Sequence, residues 1–486
     1  MTKSVNEREI VLGILMEVTE NGQYSHKVLR DVLSKYQYLT KQERAFITRV
    51  TEGTLERLIE IDYILDRFSK VKVKKMKPVI RGVLRSAVYQ LKYMDSVPDR
   101  AVCSEAVKLA ARKGFSGLKG YVNGVLRSVA RGLADVKYPT EGVQALSVKY
   151  SCPEWIIELW QKSFDENVIE NMLADFQQEK PLTVRCCLNR VTPEELKHIF
   201  VQEGVTAEPH PYLPYAFCIS GFDHLESLES FQEGMFMVQD VSSMLVGELA
   251  GPRPGANVID VCAAPGGKAL HTAEKLFMTE KLSSAGELSE AEKLSSADRL
   301  SAARKRTPDR GHVEARDLTE YKKELIQENI DRSGLDNISA ACRDASVPDE
   351  NSAGAADIVI ADLPCSGLGV IGKKTDLKYK ASPEGIGSLV VFQRKILSCV
   401  KDFVKPGGVL LYSTCTVNPA ENIENVHWFL EQYPDFSLDD IRGELCPELR
   451  DSVVEKGCIQ LLPGIHKSDG FFIARLKRKA AEEKKD

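Results

Sequence analysis

Two cysteines stand in short turns directly after apolar stretches. Cys365 lies in Ala361-Asp362-Leu363-Pro364-Cys365-Ser366-Gly367 and Cys415 in Tyr412-Ser413-Thr414-Cys415-Thr416. A thiolate is a strong nucleophile, but a free thiol with a pKa of about 8.5 is mostly protonated at neutral pH, so a site that uses one must stabilise the anion. A lone cysteine reads most simply as a small buried hydrophobe. Two of them at the ends of neighbouring strands form a more specific pattern. A third stretch, NVIDVCAAPGGK from Asn257 to Lys268, suits a polar ligand. Val258, Ile259 and Val261 make a short buried strand, Ala263-Ala264-Pro265-Gly266-Gly267 forces a turn, and Ala269, Leu270, Ala273 and Leu276 fall on one helix face. Strand, glycine turn and helix together present backbone N–H groups and a helix N-terminus to a ligand. The strand-end amides and Lys268 are candidates to stabilise a thiolate.

These residues need a scaffold that brings strand ends together, and the pattern around them supplies one. Strands are predicted at 257–261, 312–316, 338–342, 357–361 and 408–413, with closing strands near 458–462 and 471–475. Helices are predicted at 267–277, 319–333, about 386–404 and 419–432. Such alternation predicts a parallel, doubly wound α/β sheet with ligands at the carboxyl ends of its strands. Asp317, Asp344 and Asp362 each stand near such an end. A ribose-binding acid is usually found about 20 residues beyond the glycine turn; Asp317 lies 51 residues beyond Gly266. The excess is an insertion, 278–310, with EKLSSA twice and leucines every sixth residue. Six residues rotate a helix by about 600°, so these leucines share no face. The segment reads as a solvated excursion ending in Arg304-Lys305-Arg306.

Upstream the pattern changes. Every periodic stretch in residues 1–140 is helical, as in Ile10, Val11, Ile14, Leu15 and Val18, or in Val79, Ile80, Val83 and Leu84 behind Pro78. The chain carries a net charge of −5, which excludes a uniformly basic nucleic-acid binder, yet residues 1–140 hold 26 Lys and Arg against 15 Asp and Glu. That asymmetry suits a polyanion. The densest basic run is Lys70, Lys72, Lys74, Lys75, Lys77, Arg81 and Arg85, placed at a helix junction where it is expected to grip phosphates. Between the two regions, Trp155, Ile156, Leu159 and Trp160 form a short packing helix. LTVRCCLN, a helix capped by Thr192 with Pro193 at its first position, AFCIS and FQEGMFMVQD then make a small α+β module. The twelve cysteines contain no CxxC pair and no paired histidine ligands, so no metal site is expected. No apolar run reaches membrane-span length and no export signal is read at the start, so a cytoplasmic protein with reduced thiols is expected.

NVIDVCAAPGGK, ADLPCSGLGV and LLYSTCTVNPAEN together resemble the RNA cytosine-5 methyltransferase family, while VPDRAVCSEAVKLA and YVNGVLRSV resemble the NusB-type RNA-binding helical domain. The whole architecture is similar to the bacterial 16S ribosomal RNA branch, the Sun/Fmu type. The resemblance implies a multidomain chain: an all-α NusB-like bundle over 1–140, linker helices and a small α+β module over 141–235, and a Rossmann-like methyltransferase domain over 236–478. It implies S-adenosyl-L-methionine as cofactor, held by Cys262, Ala263, Ala264, Pro265, Gly266, Gly267, Lys268, Asp317, Asp344 and Asp362, with Asp362 facing cofactor, base or both. It implies Cys415 as nucleophile and Cys365 as the residue that assists product release. It implies 16S ribosomal RNA as partner; a monomer with no membrane or metal partner is expected. Ser104 stands where the family has Asn, and Thr375 where it has Pro. The competing readings are a DNA cytosine-5 methyltransferase acting through Cys365 and a non-catalytic RNA-binding scaffold.

Overall fold

The structure, a computed structural model, describes residues 6–291 and 311–480. The chain forms two compact units: Met1–Gln178 with Val370–Ser382, and Glu179–Gly369 with Pro383–Asp486.

The first unit is helical. Seven helices, α1 (Glu7–Thr19), α2 (Ser25–Lys35), α3 (Lys41–Glu56), α4 (Leu58–Phe68), α5 (Pro78–Tyr93), α6 (Asp99–Arg112) and α7 (Lys119–Gly132), pack around one apolar core. Their starts follow local chemistry. Thr40 and Glu43 close a capping box on α3, and Pro78 opens α5 with a φ already fit for a helix. Three shorter helices follow, α8 (Gly142–Tyr150), α9 (Glu154–Gln161) and α10 (Glu166–Asp175), with Trp160 fully buried. Val370–Ser382 belongs to this unit although the turn of Cys365 precedes it by only a few residues. Its anchor is Asp376, 1% exposed, which accepts the Ser25 N–H at 3.1 Å, the Ser25 hydroxyl at 2.6 Å and the Lys380 ammonium at 2.5 Å. The basic run differs from expectation at its two arginines. Arg81 grips both oxygens of Glu20, and Arg85 makes a two-pronged pair with Asp62, so acids of the same unit occupy both guanidiniums.

The second unit holds two sheets. The smaller is antiparallel, in the order β2 (Thr206–Pro209), β3 (Ala216–Ser220), β1 (Leu182–Cys186), β4 (Phe236–Val238), and is covered by α11 (Pro193–Gln202) with its Thr192–Glu195 capping box. β2 was not expected; its sequence, TAEP, is mostly exposed and ends in proline, which only an edge strand tolerates. The larger sheet has nine strands. β7 (Ile338–Cys342), β6 (His312–Asp317), β5 (Asn257–Asp260), β8 (Ala356–Asp362) and β9 (Val404–Thr414) run parallel in that order. Four helices frame their connections: α12 (Val241–Ala250), α13 (Gly267–Ala291), α14 (Glu320–Ser333) and α15 (Pro383–Val400).

Two features depart from the reading above. The sheet is parallel only across those five strands. β13 (Phe471–Arg478) lies antiparallel beside β9, followed by β12 (Cys458–Leu461) and β11 (Val453–Glu455), with β10 (Phe436–Leu438) also on β13. These strands come after α16 (Ile423–Gln432) without a crossover helix between them, and a direct loop reverses the chain. The helix after the glycine turn does not stop at 277 but runs to Ala291, into the stretch read as a solvated excursion. Alanine, glutamate, lysine and leucine are strong helix formers whether or not they share a face. Glu280 fastens it, accepting the N–H groups of Gly255 and Gly311. The second EKLSSA and Arg304-Lys305-Arg306 lie outside the described residues.

Candidate active site

The strand order reverses between β5 and β8: from β5 the chain goes to β6 on one side, and β8 lies on the other. Crevices at such switch points open at the carboxyl ends of strands. Three turns of the chain meet there: the turn after β5, the turn after β8 and the turn after β9.

Register brings the two thiols together. β8 and β9 are parallel neighbours with Ala361 beside Tyr412 and Asp362 beside Ser413. Their ends are therefore level, and the ladder continues one step with the Leu363 N–H donating to the Ser413 carbonyl. Cys365 comes three residues after Asp362 and Cys415 two after Ser413. Their sulfurs lie 3.3 Å apart, both half-buried. Gly369 N–H donates to the Cys415 carbonyl, and Gly470 N–H to the Gly369 carbonyl. A Cβ on Gly369 would lie 2.0 Å from the Gly470 oxygen, so only glycine allows the loops this close.

Lys268, in the first turn of α13, forms an ion pair with Asp362 at 2.8 Å and lies 5.3 Å from the centre of the Phe471 ring. Burial pulls its ammonium down, but Asp362, and more weakly Asp260 and Cys415, outweigh burial and hold its pKa above the usual lysine value. Asp362 is fixed on its other oxygen by the Ser413 hydroxyl at 2.8 Å. The Cys365 thiol is held well up by its hydrogen bond to Cys415, by burial and by the charge of Glu421.

The glycine turn is braced from β6. Gly266 sits at φ +110°, open to glycine but not to other residues. Asp317, nearly buried, accepts the Ala264 N–H at 3.0 Å, its neighbour Leu318 N–H at 2.7 Å and the Lys322 ammonium at 2.8 Å. The Ala263 N–H donates to the Arg316 carbonyl. Cys262 has its thiol pushed up by burial. Pro265 is in cis linkage to Ala264. Asp344 stands apart, exposed past the end of β7, where it accepts the Ser346 N–H at 2.8 Å; that bond lowers its carboxyl pKa. The sequence reading passed over Asp260. It is fully buried at the end of β5 and accepts the Cys262 N–H on one oxygen, while its other oxygen has no partner. Burial, then the charge of Asp362, pushes its carboxyl up to about 7. An orphaned buried carboxylate oxygen and two further acids beside the glycine turn fit a ligand that carries positive charge.

Other participants were also missed. Arg185, a basic residue of the small module given no role by sequence, is 1% exposed. It pairs with Glu274 on α13 and donates to Gln239 at 2.9 Å, and Glu274 also accepts the Leu188 N–H. Asp240 caps α12 by accepting the Ser242 N–H, so its role is structural. Among the described residues no group of His, Cys, Asp or Glu is arranged to hold a metal ion, and no helix is long and apolar enough to cross a membrane.

Within the helical unit a groove of about 910 Å³ opens between α6 and α7. Arg100, Lys108, Lys119, Arg127 and Arg131 line it, with Asp99 at one end.

Three family models match. One described as 16S rRNA methyltransferase RsmB/F covers residues 299–477, the NusB family covers 5–131, and a ferredoxin-like domain of RsmF/B-type methyltransferases covers 152–224. The chain is 33% identical to the probable ribosomal RNA small subunit methyltransferase B of Bacillus subtilis (strain 168), over 98% of this chain and all of that one. It is 26% identical to ribosomal RNA small subunit methyltransferase B of Cronobacter sakazakii (strain ATCC BAA-894), over 99% of this chain and all of the relative. Among solved structures, PH0851 superposes with a TM-score of 0.77 at 23% identity, covering 98% of this chain and 99% of that one. NSun6 from Pyrococcus horikoshii with SFG superposes at 0.53 and 18% identity, over 68% and 99%.

Proposed function

The chain belongs to the ribosomal RNA small subunit methyltransferase B family, and on that premise we propose that it methylates carbon 5 of a cytosine in 16S ribosomal RNA through a covalent bond to Cys415. The observation that carries this reading is the pair of thiols 3.3 Å apart at neighbouring strand ends, beside the Lys268–Asp362 ion pair.

S-adenosylmethionine, when bound, supplies an electrophilic methyl group. Cys262, Ala263, Ala264, Pro265, Gly266, Gly267 and Lys268 would hold it, with Asp317, Asp344 and Asp362. The acid-lined edge suits its positive charge, and the exposed Asp344 carboxylate suits an amino group. Carbon 5 of cytosine is too weak a nucleophile to take a methyl group unaided. Addition of the Cys415 thiolate to carbon 6 forms a sulfur–carbon bond and moves the ring π pair onto carbon 5, which then takes the methyl group. Loss of the carbon 5 proton to a solvent base returns that pair to the ring and expels the Cys415 thiolate. Lys268 favours the thiolate form of Cys415 before attack and after release. Cys365 donates its S–H to the departing sulfur. A cytosine must leave its stack to reach this edge, so a loop or single-stranded target suits the site. The basic groove between α6 and α7 suits the phosphate backbone.

The test is transfer of labelled methyl groups from S-adenosylmethionine to protein-free 16S ribosomal RNA, with the product nucleoside identified. 5-Methylcytidine is expected from the parent protein and none from Cys415→Ala, while Cys365→Ala should accumulate a protein–RNA adduct. Full activity in Cys415→Ala, with loss in Cys365→Ala, would assign the nucleophile to Cys365.

A further inference from the structure

Beneath the two thiols lies a polar cluster built around Glu421, a residue to which the reaction above gives no part. Glu421 is fully buried. One of its oxygens accepts the Ser366 N–H at 2.8 Å and the Gln393 amide at 3.1 Å; the other accepts the Ser366 hydroxyl at 2.5 Å and the Asn418 amide at 3.0 Å. All four donors are neutral, and the three backbone or amide donors cannot accept in return. Acceptor-only use of both oxygens is the pattern of an ionised carboxylate. A buried charge satisfied only by neutral donors is costly, and a chain bears that cost where the charge has a use.

The position of the charge indicates the use. Ser366 directly follows Cys365, and Thr416 directly follows Cys415. Their hydroxyls are 2.9 Å apart, so the carboxylate that holds Ser366 also ties the two cysteine turns together. The next residue, Asn422, clamps the other turn, accepting the Thr414 hydroxyl and donating to the Thr416 carbonyl. Gln393 is locked in turn by Asn425, which also meets Tyr412 and Arg394.

We propose that Glu421 is a positioning residue that divides the labour between the thiols: it pins the Cys365 turn and sets a negative charge behind that sulfur, while Cys415 faces the Lys268 ammonium. Two like groups 3.3 Å apart are thereby placed in opposite fields. The Cys365 thiol is raised by its hydrogen bond to Cys415, by burial and by the charges of Cys415 and Glu421, whereas Lys268 and Cys415 interact favourably. Neighbouring groups held in unlike environments are suited to different roles, one as acid and the other as base or nucleophile. The charged and titratable groups around Cys365 are Cys415, Glu421 and Tyr412, with Arg394 behind Tyr412. Cys365 stays a hydrogen-bond donor and forms no covalent bond in the cycle.

The inference rests on the proposed roles of the two cysteines, and its first test needs no RNA. In a Cys415→Ser background, the rate of iodoacetamide labelling of the Cys365 peptide is followed against pH by mass spectrometry, with and without Glu421→Gln. The neutral variant is expected to lower the labelling midpoint by about one pH unit, a rise of about ten-fold in rate near neutral pH. Glu421→Asp, which keeps the charge, should stay within about three-fold of the parent. With Cys415 intact, Glu421→Gln should slow release of the RNA adduct and lower kcat with KM for RNA unchanged. An unmoved labelling midpoint in a folded Glu421→Gln protein would overturn the proposal. If that variant does not fold, Ser366→Ala removes a donor and leaves the charge, and its midpoint should hold; a fall of a full unit there would also overturn it. Failure of the parent to methylate RNA would reject the functional reading and leave the labelling result standing.

Discussion

Lys268 and Asp362, from the turns after β5 and β8, are joined by a 2.8 Å ion pair at the point where the sheet changes direction, and the same ammonium interacts with Cys415. The pair therefore links the glycine turn to the proposed nucleophile. Removing the cation in Lys268→Met is expected to reduce methyl transfer by roughly 10²-fold, the usual effect of deleting one preorganised charge-stabilising group. Because the thiolate loses its counter-charge, the pH–rate curve of the residual activity should move to higher pH by about one unit. Lys268→Arg should recover part of the rate. A pH–rate curve that does not move would show that Lys268 acts on the cofactor or the base and not on Cys415.

Asp260 gives a stability prediction of opposite sign to that of carboxylates held by cations or hydrogen bonds. Burial and the neighbouring Asp362 raise its carboxyl to about 7 in the folded chain, whereas an unfolded Asp titrates at about 3.9. The folded state binds the proton more tightly, so the associated stability is present at low pH and is lost as pH rises from about 4 through 7. Asp260→Asn, which cannot ionise, should be more stable than the parent at pH 8.5 by on the order of 1–3 kcal/mol, and the gap should close by about pH 5. Urea melts at the two pH values measure it; a gap independent of pH would count against a raised carboxyl.

The α6–α7 groove and the Lys70–Arg85 run can be separated by salt. Each phosphate contact removed lowers the slope of log K against log salt by about 0.7–0.9. Arg100→Ala, Lys119→Ala and Arg127→Ala should each weaken RNA binding with such a reduction, leaving S-adenosylmethionine affinity unchanged. Arg81→Ala and Arg85→Ala, whose guanidiniums hold Glu20 and Asp62, should lower the melting temperature and leave the slope intact. Filter binding at several salt concentrations decides; unchanged slopes for all three groove variants would place the RNA elsewhere.

The sequence pattern was informative wherever a local rule set the outcome. Hydrophobic period found the seven bundle helices as a class and the five parallel strands, and the caps at Thr192 and Pro78 stand where their chemistry puts them. Cys365 and Cys415 were found because both close apolar strands, and strand ends share an edge. What sequence did not reveal depends on contacts distant along the chain. Nothing local in LTVRCCLN gives Arg185 a role; its partner Glu274 lies 89 residues away. Asp376 reads as a loop acid until the Ser25 N–H and hydroxyl meet it, 351 residues away. Glu421 stood inside a quoted motif, VNPAEN, with its role concealed because its partners come from the turn of Cys365 and from α15. Short edge strands such as β2 and β11 lack the length over which alternation can be recognised.

Arg185 and Glu274 provide the last prediction. They join β1 of the small sheet to α13, the helix that follows the glycine turn, in surroundings from which water is excluded. A buried pair is worth little against well-packed apolar side chains, but removing one partner strands the other charge, at a cost of about 3–5 kcal/mol. Arg185→Met should therefore be strongly destabilising, and Arg185→Met with Glu274→Leu should recover most of the loss, leaving without those partners the Leu188 N–H that Glu274 had accepted and the Gln239 amide oxygen that Arg185 had held. The effect should extend to the ligand edge. Gln239, held by Arg185, lies where a Cβ on Gly267 would come within 3.7 Å of its amide carbon. Freed from Arg185, Gln239 no longer has one fixed orientation beside the turn, so S-adenosylmethionine affinity should fall by about three- to ten-fold in both variants even where stability is regained. Calorimetric titration alongside denaturant melts separates the two. Affinity that returns together with stability would mean that the pair supports the fold and has no separate hold on the glycine turn.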